Sequence, residues 1–112
     1  METFNALWID DVRHQPENCD KYIWTRARSF HEAVTKLELL DFDHVSFDHD
    51  LASFYGSKEM TGYDIALWLA ERKINTDEYI PSSYAIHSAN PVGRDNIKSV
   101  IQRYLQPDFT LH

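Results

Sequence analysis

Along this chain, short apolar runs that stop abruptly on acidic or hydroxyl-bearing residues alternate with longer stretches whose apolar positions recur every three to four residues. Phe4 to Ile9 is apolar enough for a buried strand and halts at Asp10-Asp11. Tyr22 to Ala27, carrying Trp24, reads as a second strand beyond a polar loop containing Pro16. Ser29 and Glu32 have capping-box spacing, and Phe30, Ala33, Val34, Leu37 and Leu40 then repeat on one face, which predicts a helix over 29–41. A strand over 44–48 runs into Asp48-His49-Asp50-Leu51, after which 52–60 has loop composition. Thr61 and Asp64 again have capping spacing and open a helix over 61–73, with Ile65, Ala66, Trp68 and Leu69 available for burial. A fourth strand, 83–87, breaks at Ser88-Ala89-Asn90-Pro91. There Asn90 suits a helix cap and Pro91 the first helical position, and Ile97, Val100, Ile101, Tyr104 and Leu105 supply the apolar stripe of a helix over 91–105.

This alternation predicts an α/β domain, doubly wound around a mostly parallel sheet, whose ligands bind beyond the carboxyl ends of the strands. With no internal repeat, low-complexity stretch or dividing linker, the chain reads as a single domain over 1–112. The 11–22 connection fits least well, because a parallel crossover normally takes about a dozen residues or more and usually a helix.

Composition sharpens the picture. An apolar share of 43%, with only three Gly and four Pro, excludes a disordered or fibrous chain. Cys19 is the sole cysteine, so neither an intramolecular disulfide nor a cysteine metal cage is available. That fits a reducing compartment. The longest apolar run, Ile65 to Ala70, is far too short for a membrane span, and Met1 to Asp11 reaches acidic residues after a few apolar ones, so the expectation is a cytoplasmic protein. Eighteen carboxylates against eleven Lys plus Arg give a formal charge of −7, which argues against non-specific duplex binding. A phosphorylated ligand would need local help from a divalent cation, a helix N-terminus or an arginine.

Three predicted strands end in residues of the kinds that bind metals and phosphates: Asp10-Asp11, Asp48-His49-Asp50 and His87-Ser88. Carboxylates gathered at adjacent strand ends would raise one another's pKa, and a hard divalent cation with oxygen ligands offsets this. The expected set is Asp10, Asp11 and Asp48 around Mg²⁺ or Mn²⁺, with Asp50 at the edge. Asp and Asn also occur at strand ends simply as turn formers and caps. His14, His31, His44 and His112 read as surface or packing residues, whereas His49 and His87 lie at the site edge as an acid and base pair near neutrality. Trp8, Trp24 and Trp68 read as packing. Phe54 and Tyr55, in the 52–60 loop, are placed to stack on a base or cover the core, and that loop could act as a lid.

Leu7-Trp8-Ile9-Asp10-Asp11, the strand-ending Asp48, Thr61-Gly62-Tyr63-Asp64 and Ile86-His87-Ser88-Ala89 resemble the first four-fifths of a response-regulator receiver domain, a flavodoxin-like fold. The whole chain is more similar to the cyclic-phosphate processing receiver-like family, through Asp48-His49-Asp50-Leu51 and His87-Ser88-Ala89-Asn90-Pro91. The receiver resemblance implies a metal on Asp10 and Asp11, Asp48 at the phosphoacceptor position and Ser88 at the hydroxyl position that touches the phosphoryl group. Two departures count against ordinary phosphotransfer: no fifth strand with a terminal lysine follows, and the first receiver helix shrinks to the 12–21 loop.

The family resemblance implies a metal-dependent phosphoesterase that opens cyclic phosphates of RNA ends or nucleotide derivatives. Asp48, His49 and His87 would be catalytic, and Ser88, Asn90 and Arg94 would hold phosphate, Arg94 by bidentate bonds. The competing reading is a non-catalytic receiver-like module that binds a phosphorylated ligand or a protein partner. A third is an interaction protein whose acidic surface mimics nucleic acid, with its carboxylates spread over one face.

Overall fold

The computed structural model describes residues 3–110, so His112 lies outside the described residues. Four strands, β1 (Phe4–Ile9), β2 (Tyr22–Ala27), β3 (His44–Phe47) and β6 (Ser83–Ile86), form a wholly parallel sheet in the order β2-β1-β3-β6. Helix α1 (Phe30–Leu39) joins β2 to β3, α2 (Gly62–Asn75) precedes β6, and α3 (Pro91–Val100) follows it. A π-helical turn, Ile101–Leu105, prolongs α3 and keeps Ile101 and Leu105 in the core.

The predicted caps close these helices. Ser29 Oγ accepts from Glu32 N at 3.1 Å, Asp64 Oδ2 accepts from Thr61 N at 2.8 Å, and Asn90 Oδ1 accepts from Gly93 N at 3.0 Å with Pro91 at the first helical position.

Strand order decides which face each helix covers. The steps from β2 to β3 and from β3 to β6 run the same way across the sheet, so right-handed crossovers put α1 and α2 on one face. Leu7, Ile9, Val45, Phe47, Tyr84 and Ile86 point to that face and share one core with Ala33, Leu37, Ile65, Leu69, Ile97 and Ile101. The step from β1 to β2 runs the opposite way, and the helix that would cover the second face is replaced by the loop between them. That face carries interlocked aromatic rings instead. Trp8 meets Trp24 edge-on at 5.6 Å, and Trp24 meets His44 at 5.8 Å.

Residues 52–60 depart from the expected irregular loop. They form an antiparallel hairpin, β4 (Ser53–Tyr55) and β5 (Lys58–Met60), because Gly56, at φ +63°, supplies the left-handed conformation a two-residue turn needs. The hairpin is anchored on the first turns of α1 and α2. Ser53 Oγ accepts from Phe30 N at 3.2 Å, Lys58 Nζ lies 3.5 Å from Asp64 Oδ1, and Tyr55 leans on His31. Phe54 and Tyr55 are exposed, so neither covers the core.

Candidate active site

The sheet ladder continues one residue past the strands and so levels the site. Asp10 N donates to Ala27 O at 3.0 Å, Asp48 N to Ile9 O at 2.9 Å, and His87 N to Phe47 O at 2.9 Å. Three side chains from β1, β3 and β6 therefore stand side by side on a rigid edge. Asp10 is fully buried and Asp48 nearly so.

Asp10, Asp11 and Asp48 each offer a carboxylate oxygen, and these oxygens all lie within 4.8 Å of one another. Asp10 Oδ1 accepts from Val12 N and Arg13 N at 2.8 and 2.7 Å. Burial alone would push its carboxyl up, but these N–H groups and His87 outweigh burial and hold it below the usual range. Asp48 goes the other way: burial and the neighbouring Asp10 charge raise it, against partial relief from His49 N–H and the Ser88 hydroxyl. A half-compensated anionic pocket of hard oxygen donors fits a small divalent cation. Asp50 stands outside this trio, accepting from His49 Nδ1 at 2.9 Å and from Asn90 Nδ2 at 3.3 Å.

The two histidines approach from opposite faces of the sheet. His87, on the helix-free face, stacks on Trp8 with centroids 3.6 Å apart. Its Nδ1 lies 2.7 Å from Ser46 Oγ and its Nε2 3.1 Å from Asp10 Oδ2. The carboxylate assigns the proton to Nε2, which leaves Nδ1 to accept from the serine. Burial pushes this imidazole down to about 4 despite the pull of Asp10, so it is neutral at pH 7. The expectation of two imidazoles poised near neutrality thus does not hold for His87. On the helical face, His49 gives its Nδ1 proton to Asp50, and its ring rests on the first turn of α3 at Gly93. Nε2 is left as an acceptor, the arrangement of a carboxylate-oriented base.

Ser88 is buried beside Asp48; its Oγ accepts from Asn90 N at 3.1 Å, and its carbonyl accepts from Arg94 Nη1 at 3.0 Å. Sequence reasoning missed Arg13, Ser46, Gly62 and Gly93. A Cβ on Gly62 would lie 2.0 Å from Asp48 O, and one on Gly93 would lie 2.3 Å from His49 Cγ. The Thr61-Gly62 cap start and the Pro91-Val92-Gly93 turn were visible signals, but the close approach is a tertiary fact. Gly93→Ala is expected to cost about 1–3 kcal/mol by overpacking and to turn the His49 ring, checked by urea melts and the His49 imidazole NMR shifts. An unmoved ring would contradict the packing.

The His87 shift also has a stability consequence. Between pH 6.5 and about 4 the unfolded chain binds a proton that folded His87 refuses, so folding stability falls as pH is lowered through that window. Asp48 acts with the opposite sign, its stability contribution being lost as pH rises through its raised value. Chelated wild type minus His87→Gln isolates the histidine's share. That difference should shrink on acidification, and a pH-independent difference would contradict the burial effect.

An all-parallel sheet with acidic strand ends, a hydroxyl at the next strand and helices wound by right-handed crossovers defines a receiver-like α/β domain. A model of the cyclic-phosphate processing receiver domain matches residues 5–103, and the chain belongs to that family. No curated protein sequence matches the chain. Among solved structures, a fusion carrying a segment of the yeast Spc42 trimeric coiled coil is similar at a TM-score of 0.58 and 17% identity. The match covers 89% of this chain and 63% of that one, a likeness of fold. Among the described residues no helix is long and apolar enough to cross a membrane.

Proposed function

We propose that this chain is a metal-dependent phosphoesterase that opens cyclic phosphates on RNA ends or nucleotide derivatives. The observation that carries the reading is the trio Asp10, Asp11 and Asp48 flanked, from opposite faces of the sheet, by imidazoles each hydrogen-bonded to a carboxylate. Asp10, Asp11 and Asp48 would hold Mg²⁺ or Mn²⁺. When bound, the cation supplies charge neutralisation for the phosphate oxygens.

His49, held by Asp50, takes the proton of an attacking water at Nε2 as the water oxygen bonds to phosphorus. The phosphorus–ribose oxygen bond breaks, and the departing oxygen takes a proton from solvent at the open edge, where Asp50 and Arg13 are half-exposed or more. His49 then returns its own proton to solvent. His87, neutral and donating from Nε2, positions Asp10 and limits charge repulsion within the trio. Ser88, Asn90 and Arg94 orient the phosphate at the start of α3, where the helix N-terminus favours an anion.

The test is a screen of nucleoside 2′,3′-cyclic phosphates, cyclic-ended RNA and ADP-ribose cyclic phosphate, with cation added or chelated. Cation-dependent release of a monoester is the expected result. No release from any of them, together with stable phosphorylation of Asp48 by acetyl phosphate, would favour the phospho-binding receiver module.

A further inference from the structure

In a chain of net charge −7, four arginines converge on the acidic edge. Arg26 Nε donates to Asp10 O at 3.1 Å, Arg28 Nη2 to Asp11 O at 3.5 Å, Arg13 Nη1 to His87 O at 3.1 Å, and Arg94 Nη1 to Ser88 O at 3.0 Å. Each guanidinium is tethered by a main-chain carbonyl of the site itself. Among the described residues, only Arg13 of these four also meets a carboxylate, Asp10 at 3.6 Å, whereas the remote Arg72 pairs with Glu78.

A guanidinium has five N–H donors; a carbonyl tether uses one of them, and Arg26 commits a second, its Nη1 lying 3.2 Å from His14 Nδ1. In so acidic a protein, arginines without carboxylate partners keep their charge and remaining donors for an outside anion. They divide into two groups. Arg94 comes from α3, on the helical face with His49 and Ser88. Arg26 and Arg28 follow Trp24 in the alternation along and just past β2, and Arg13 comes from the loop that borders the same helix-free face.

We infer that Arg26 and Arg28, the two arginines bordering the helix-free face that have no carboxylate partner, form a second phosphate subsite beside the acidic trio, so that the substrate carries another phosphate next to the one being processed. This rests on the phosphoesterase reading for the first phosphate. The shared chemistry is a further phosphate group on the 5′ side of the ribose that carries the cyclic phosphate, from a phosphodiester or from a diphosphate bridge.

Equilibrium binding tests it apart from turnover. Titrations with Mg²⁺ on the His49→Ala chain would use three probes: a nucleoside 2′,3′-cyclic monophosphate, a dinucleotide ending in the same cyclic phosphate, and an ADP-ribose cyclic phosphate. The expected result is about 10–100-fold tighter binding of at least one of the larger probes over the monophosphate, the size of one or two charge-assisted bonds. Whichever probe gains names the source of the second phosphate. Arg28→Ala, at an exposed position, and Arg26→Ala should each erode that ratio while leaving monophosphate affinity within about twofold. Thermal melts check that both variants fold. Equal affinity for all probes, or a ratio that survives both substitutions, would overturn the subsite. Failure of the phosphoesterase reading would appear separately, as absent turnover by the wild type.

Discussion

Asp48→Asn is expected to abolish Mg²⁺-dependent stabilisation while making the cation-free protein more stable. Asp48 is held above its ordinary range by burial and by Asp10, so its ionised form strains the folded state at neutral pH. Asparagine removes that charge and still accepts from His49 N–H, which now bonds Asp48 Oδ1 at 2.9 Å. A cation at 100 times its dissociation constant stabilises the wild type by about 2.7 kcal/mol through linkage, and the variant should lose that rise. The affinity loss should exceed the 10–100-fold typical of residues that merely orient ligands. Thermal melts in chelator and in Mg²⁺ read both signs at once. A variant less stable than wild type in chelator, with the Mg²⁺ shift intact, would reduce Asp48 to a turn former.

Loss of the base has the larger kinetic effect. His49→Ala should lower turnover of the best cyclic phosphate by about 10²–10⁴-fold, the range for a positioned proton acceptor, with cation affinity unchanged. Asp50→Asn, which keeps the bulk and an acceptor for the Nδ1 proton but loses the carboxylate charge, should cost less, roughly 10–100-fold. His87 is expected to behave differently, because its contact is with Asp10. His87→Gln should weaken cation affinity along with rate, and His87 should contribute no limb to the pH profile near neutrality, since burial has moved its titration to about 4. Equal and purely kinetic losses for His49 and His87 would restore the two-imidazole acid and base pair.

The strands and helices were legible because each apolar run stops at a polar residue that has a task. Ile9 precedes Asp10, Phe47 precedes Asp48, and Ser29, Thr61 and Asn90 cap the helices that follow. The hairpin was not. Its strands are three residues long and mostly exposed, too short for a period-two signal, so only Gly56 marked it.

The acidic trio was legible because a parallel sheet makes neighbours of its carboxyl ends. Its partners were not, because they depend on contacts distant in sequence. Ser46 and His87 are 41 residues apart, and His87 and Asp10 are 77 apart. The displacement of His87 from neutrality follows from the Trp8 stack and burial, neither of which a strand-ending histidine announces. The same holds for the arginines, whose carbonyl tethers join β2 to the residue after β1 and the loop after β1 to the residue after β6.

The central claim, cation-dependent opening of a cyclic phosphate at the Asp10, Asp11 and Asp48 trio, is tested most directly by following the phosphorus itself. In ³¹P NMR of a nucleoside 2′,3′-cyclic phosphate or a cyclic-ended oligonucleotide with enzyme and Mg²⁺ in H₂¹⁸O, the ring resonance should give way to a monoester bearing one ¹⁸O. Chelator or Asp10→Ala should stop the conversion. A ring resonance that persists unchanged with every such substrate and either Mg²⁺ or Mn²⁺ would contradict it.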